Sequence, residues 1–188
     1  MGSLDKYLNE LFWEKEEKID PNLPNPYNFR ALKLDPNVTS SDWKKAQVEW
    51  SKRPLMNGSE VDVKKAFLNP PEGYNDGIAW VIIDNEQRVG VVGIQNLLGD
   101  KKIIHGGNIV YVTWVHGKKY AARGVMKMLE LPIFDQKDSL MSLSISMKNK
   151  FSIQVAKDLK AKQRYISREE NKIGYLIKAP WWWSKPKK

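Results

Sequence analysis

Cysteine is absent from the 188 residues, and the only histidines are His105 and His116. Without thiols the chain has no disulfide framework, no thiolate nucleophile and no cysteine-ligated metal site. Its imidazole chemistry rests on those two histidines. Long apolar runs are also missing. Nothing approaches the roughly 20 residues that cross a bilayer, so no transmembrane segment is expected, and the N-terminal stretch lacks the apolar core of a signal peptide. A cysteine-free chain is compatible with a reducing compartment, which makes a cytoplasmic location the expectation. Met1-Gly2-Ser3-Leu4-Asp5-Lys6 begins like a myristoylation site, but Lys6 stands where Ser or Thr is wanted. Internal repeats, heptads and low-complexity blocks are absent too.

What the chain does contain is a hydrophobic fraction of 41% with 28% charged residues, ordinary for one globular domain with a sizeable core. Its balance is basic, 31 Lys and Arg against 22 Asp and Glu, for a net charge of +9 and a pI near 9.5. Such a charge suits polyanions, from nucleic acid to a phosphorylated small molecule, without choosing among them.

The most informative stretch runs from Asn108 to Leu159. Asn108-Ile-Val-Tyr-Val-Thr-Trp-Val115 is rich in β-branched and aromatic residues and is bounded by glycines, which predicts a buried, central strand. From Lys119 to Leu131 the period becomes helical, with Ala121, Val125, Met128 and Leu129 on one face and Pro132 as the stop. Leu140 to Met147 alternates without a fault, Met141, Leu143, Ile145 and Met147 against three serines, the period of a strand with one polar face. Asn149 then caps a second helix reaching Leu159, with Ser152, Val155 and Ala156 on its inner stripe. At the first strand-to-helix turn, His116-Gly117-Lys118-Lys119-Tyr120-Ala121, unpaired N–H groups and the helix dipole create a place for an anion, which two lysines reinforce. An alternative register would put Gly124 on that turn, at the cost of breaking up the helix.

The ordered set of strand, glycine turn, helix, strand and Asn149-x-x-Ser152 helix resembles the GNAT superfamily of N-acetyltransferases, in the branch of the ribosomal-protein N-terminal acetyltransferases. The resemblance covers roughly Phe29 to Lys178. It implies an α/β fold with a mixed, mostly antiparallel sheet flanked by helices, and acetyl-CoA as co-substrate. It further implies pantetheine along the strand at Val112 and Trp114, pyrophosphate on His116, Gly117, Lys118, Lys119, Tyr120 and Ala121, and Asn149 and Ser152 at the thioester end. Two departures stand out: Lys119 replaces a glycine of the family's turn, and Ala156 falls where a tyrosine often serves as general acid. Ser152 is the candidate to fill that vacancy, and His105 the candidate base, because a histidine just before the central strand could act on an incoming amine.

In chain order, residues 1–28 read as an amphipathic helix, Leu4 to Lys18, and a proline-rich connector; 29–178 as the main domain; 179–188 as a tail rich in Trp and Lys. The N-terminal helix either packs on its own domain or serves a partner, a homodimer included. Phe29 to Leu34 is expected as a first strand, Ser40-Ser41-Asp42 as the cap of a helix carrying Trp43, Ala46 and Trp50, and Val61 to Leu68 as a second helix. By the resemblance, this helical pair walls the acceptor site. Ile78 to Ile83 and Val89 to Ile94 form a hairpin, Lys160 to Arg168 is a basic segment, and Lys172 to Lys178 is a last strand. Trp181, Trp182 and Trp183 either stack on bases or a partner surface, or cover a groove of their own domain.

Two functions are therefore expected. One is acetyl transfer from acetyl-CoA to a primary amine on a protein, an aminoacyl-tRNA or a small molecule. The other keeps the fold without catalysis and binds nucleic acid or a protein through the basic surface and the tail.

Overall fold

The computed structural model describes residues 28–53, 62–68, 77–98 and 102–184; the expected N-terminal helix lies outside them. Seven strands form one sheet in the order β1-β2-β3-β4-β5-β7-β6: β1 Lys33–Asp35, β2 Ile78–Asp84, β3 Gln87–Leu98, β4 Gly106–Thr113, β5 Leu140–Ser146, β6 Lys162–Ser167 and β7 Lys172–Lys178. Every pairing is antiparallel except β4 with β5. Helices α1 Ser40–Ser51 and α2 Val63–Leu68 cover one face, packing Trp43, Ala46 and Phe67 on Ala79, Val91, Val110 and Val112. Helices α3 Tyr120–Leu129 and α4 Lys150–Asp158 cover the other, where the larger core gathers Ile82, Val92, Ile109, Tyr111, Met126, Leu143 and Val155. The β4 side chains thus divide by parity, Val110 and Val112 to one core, Ile109 and Tyr111 to the other, as strand alternation requires.

The hairpin of β2 and β3 turns on Asn85 and Glu86, both at positive φ (46° and 67°), the geometry of a two-residue turn whose twist matches the strands. Gly124 lies inside α3, where a Cβ would come within 2.4 Å of Ile82 Cδ1. That contact lets α3 lie close on β2 and rules out the register that would place Gly124 at the turn.

Several boundaries differ from the sequence expectation for identifiable reasons. Phe29–Ala31 is a 3-10 turn and not a strand. Phe29 and Leu32, three apart, both enter the core, which a turn permits and a strand forbids. Thr39, one residue before the expected cap, caps α1 in a reciprocal pair with Asp42. Part of the basic segment after Lys160 is edge strand β6, whose residues are exposed along most of its length; no burial imposes an alternation there. Met147 lies past the end of β5 and is exposed.

The tryptophans of the tail cover their own domain. Trp181 and Trp183 are buried and stacked, with centroids 6.1 Å apart. Trp181 Nε1 donates to Leu129 O (2.8 Å) and Trp182 Nε1 to Leu159 O (2.9 Å). The indoles satisfy carbonyls at the C-terminal ends of α3 and α4 that have no acceptor role inside the helices. Consecutive rings achieve this because the chain turns over the two helix ends, sending alternate rings inward and the middle one between Leu159 and Lys160.

Candidate active site

β4 and β5 pair only at Gly106, Gly107 and Asn108 against Leu140, Met141 and Ser142. Beyond that point β4 continues to Thr113 paired with β3 alone, and β5 continues to Ser146 paired with β7 alone. The sheet opens into a wedge at its centre, with unpaired backbone on the β4 side. Arg53 Nη2 donates to Tyr111 O at 2.7 Å from within the wedge, so the open edge is presented by Ile109, Tyr111 and Thr113, whose backbone groups share one direction. Val112 and Trp114, expected to offer this edge, face the other way. A Cβ on Gly90 of β3 would lie 2.7 Å from Val112 O, and Trp114 gives its backbone N–H to Val89 O and its indole N–H to Arg88 O. The period of two puts the odd-numbered residues at the opening.

The turn after β4 lies at the mouth of the wedge. Gly117, Lys118 and Lys119 are successive left-handed residues, φ 87°, 49° and 52°. Lys119 thus takes the conformation that glycine adopts without strain, and its ammonium reaches Asp158 Oδ1 on α4 at 2.9 Å. The side chain is anchored to the neighbouring helix. Within the described residues the backbone N–H groups of Tyr120, Ala121 and Ala122 have no acceptor, the first bond across the turn being Arg123 N to Lys119 O. Beneath them lies Arg123, buried, donating to Lys118 O (3.0 Å) while its Nε has no partner. Helix N–H groups and a buried guanidinium together favour an anion here. Tyr120 is buried and bonds Asp84 Oδ2 through its hydroxyl (2.7 Å). Burial, then the Asp84 carboxylate, raises its pKa. Ala121 is buried as well. The structure therefore joins Gly117, Lys118, Lys119, Tyr120 and Ala121 in one turn, whereas His116 leaves it: its Nε2 lies 3.4 Å from Glu49 Oε2 on α1.

Past the open end of β5, Asn149 Oδ1 accepts from Ser152 N (3.1 Å), so the Asn149 side chain is spent on the helix cap. Ser152 is buried, with its hydroxyl against that of Tyr111. Burial raises the Tyr111 pKa above that of an ordinary phenol, although Ser152 and the Arg53 charge oppose the shift. A phenol held neutral beside a serine is a proton donor in waiting. The resemblance looks for a tyrosine on α4, where Ala156 stands, whereas Tyr111 of β4 was read only as a strand former.

His105 is not brought to this place. It stands at the closed end of the wedge, Nδ1 3.0 Å from Asp135 Oδ2, and about 20 Å along β4 from Tyr111 at ~3.3 Å per residue. Its partner Asp135 has a lowered pKa, chiefly from the Lys137 backbone N–H. His105, expected as the base, is thus separated from Ser152 by the length of the strand.

On the α1 side, Glu49 lies between Lys52 Nζ (2.9 Å) and His116 Nε2 (3.4 Å), and the Arg53 guanidinium stacks over the rings of Trp50 (5.1 Å) and Tyr111 (5.5 Å). Burial lowers the Arg53 pKa, with Tyr111 and Glu49 opposing; a guanidinium stays charged regardless. Arg88 fixes α1 in place, its guanidinium bonding Asp42, Asp35 Oδ2 and Asn37 O. Within the described residues no cluster of three His, Asp or Glu could hold a metal, and no helix is long and apolar enough to cross a membrane.

No protein-family model matches this chain, and no curated protein sequence does. Solved structures match well. RimJ of Mycobacterium smegmatis, solved in complex with CoA-disulfide, superposes with a TM-score of 0.54 at 14% identity, over 79% of this chain and 82% of that one. Spermidine N-acetyltransferase SpeG of Vibrio cholerae gives 0.53 at 11%, over 81% and 96%. N-acetyltransferase PseH of Campylobacter jejuni, in complex with acetyl coenzyme A, gives 0.51 at 12%, over 78% and 98%. The fold is the GNAT fold. The seven-stranded, mostly antiparallel sheet and its four helices are the architecture shared with these neighbours. The GNAT fold of this chain carries the opened β4–β5 pair, the left-handed turn before α3 and the Tyr111–Ser152 pair.

Proposed function

We propose that this chain is an N-acetyltransferase that moves the acetyl group of acetyl-CoA onto a primary amine. The observation that carries this reading is the wedge between β4 and β5, opening beside N–H donors and a buried guanidinium. The pyrophosphate sits on Gly117, Lys118, Lys119, Tyr120 and Ala121. The pantetheine arm follows the open edge of Ile109 to Thr113, pairing as an added strand does, and the thioester reaches Tyr111 and Ser152. SpeG and PseH, which share the fold, are N-acetyltransferases by name.

The chemistry follows from these groups. The neutral amine attacks the thioester carbonyl carbon, a C–N bond forms and the C–S bond breaks. The nitrogen's surplus proton passes to the Glu49 carboxylate by way of His116, and the departing thiolate takes a proton from Tyr111, which Ser152 supports by hydrogen bonding. Both proton carriers re-equilibrate with water after release. The acceptor arrives from the α1 side, where Glu49 and His116 stand to take its proton. Protein N-termini or lysines, aminoacyl-tRNA and small amines are the classes to screen.

The test is a thermal melt with excess acetyl-CoA, with CoA and a nucleotide phosphate as controls. At a hundred times its dissociation constant a ligand adds about 2.7 kcal/mol, or roughly 5–10 °C for a chain of this size. No shift at millimolar acetyl-CoA would refute the reading and favour a binding protein of the same fold.

A further inference from the structure

Arg53 is an unusual cation. It leaves the C-terminal end of α1, crosses to the wedge and is mostly buried, yet within the described residues no carboxylate lies within 4 Å of it. Glu49, the nearest acid acting on it, is held by Lys52 and His116. A single donor, Nη2, is used, on Tyr111 O; the remaining N–H groups have no partner within the described residues. Alongside, the Trp50 indole N–H is buried and without an acceptor. A buried donor without an acceptor, as the Trp50 indole N–H is, is costly in a folded protein, and the partly exposed guanidinium over the same ring is a planar fork that matches a carboxylate. Lys52 beside Glu49, with Arg53, leaves this end of α1 with more positive than negative charge.

From this juxtaposition we propose that Arg53, with Trp50, is the specificity site for an acceptor that carries a carboxylate a few bonds from its amine, that is, a small amino acid-like molecule. The inference rests on the acetyl-transfer reading and adds the acceptor class to it. The short reach follows from the geometry. The guanidinium carbon is 5.5 Å from the Tyr111 ring centroid, so a carboxylate on Arg53 lies beside the residue that the acetyl-transfer reading makes the proton donor, and an amine a few bonds from that carboxylate spans the interval. A distant side chain of a peptide would leave the amine outside.

The experiment offers native protein and acetyl-CoA an equimolar mixture of the amino acids and their primary carboxamides, alongside spermidine and a peptide pool, with mass spectrometry counting acetylated products. The expected result is at least tenfold more product from free carboxylates than from their carboxamides, because a site built for a carboxylate leaves its donors unpaired on the amide. Arg53→Gln brings that ratio close to one, and Arg53→Lys retains part of it. The comparison in native protein needs no variant, so a folding defect in Arg53→Gln does not blunt it. Equal or greater product from carboxamides, or acetylation of the peptide or spermidine with none of the amino acids, overturns the proposal. If acetyl-CoA raises the melting temperature and no amino acid is acetylated, this proposal alone fails; if acetyl-CoA gives no shift and no amine is acetylated, the acetyl-transfer reading fails and takes the proposal with it.

Discussion

Replacing Trp181 by alanine tests whether the tail belongs to the domain or to a partner. The ring is 1% exposed, stacks on Trp183 and donates to Leu129 O at the end of α3. A buried indole removes roughly 150–250 Å² from water, which at about 25 cal/mol per Å² corresponds to ~4–6 kcal/mol as an upper figure; core Trp→Ala changes cost about 3–5 kcal/mol. Loss of the indole donor to the helix-end carbonyl adds about 1 kcal/mol. Taking ~4–5 kcal/mol in all, a chain of this size loses roughly 10–20 °C in Tm. Trp182→Ala, at the half-buried ring, is expected to cost about a third as much. The assay is a pair of thermal melts, with urea titration as a check that the transition stays cooperative. A fall of less than about 3 °C for Trp181→Ala, accompanied by loss of RNA or DNA retention at low salt, would refute the packing argument and restore the tail as a binding element.

Tyr111→Phe removes the proposed proton donor while keeping the ring under Arg53: kcat is expected to fall by about 10²-fold with acetyl-CoA affinity unchanged, and an undiminished kcat would remove Tyr111 from the mechanism. Lys119→Gly relieves a left-handed lysine, worth about 1 kcal/mol, but loses the Asp158 contact and gains chain entropy; the expected net is a Tm within about 3 °C of native and an acetyl-CoA shift at least as large, measured by the same melts. Burial pushes Asp42 upward, yet the hydrogen bonds from Arg88 and Thr39 outweigh it and leave its pKa lowered. Its contribution to stability is therefore present above the ordinary aspartate range and lost as pH falls through the lowered value; urea titrations from pH 6 to pH 3 should show a shallower decline for Asp42→Asn than for native protein. Tyr111, Tyr120 and Tyr175 all have raised pKa values, burial being the first cause in each, so stability is expected to hold up to about pH 10 and fall above it, which the same titration at alkaline pH would reveal.

The sequence by itself determined the elements whose period is dictated by burial on one side. β5 shows in the faultless alternation of Met141, Leu143 and Ile145, α3 in the spacing of Ala121, Val125 and Met128, and the α4 cap in Asn149, because periodicity and capping are local. It also carried the order of elements that resembles the GNAT fold. The C-terminal rings lay beyond its reach, because three adjacent tryptophans fix no face until α3 and α4 supply carbonyls to receive their N–H groups. The proposed chemistry was least legible. Tyr111 comes from β4, Ser152 from α4, Glu49 from α1, Arg53 from just past its end and Arg123 from within α3, and each alone reads as a strand former, a helix residue or a surface charge. Strand parity decided which backbone faces the wedge, and strand length moved His105 away from it. Tertiary structure makes these assignments because a site assembled across both faces of a sheet depends on distances between segments far apart in the chain, which no local pattern encodes.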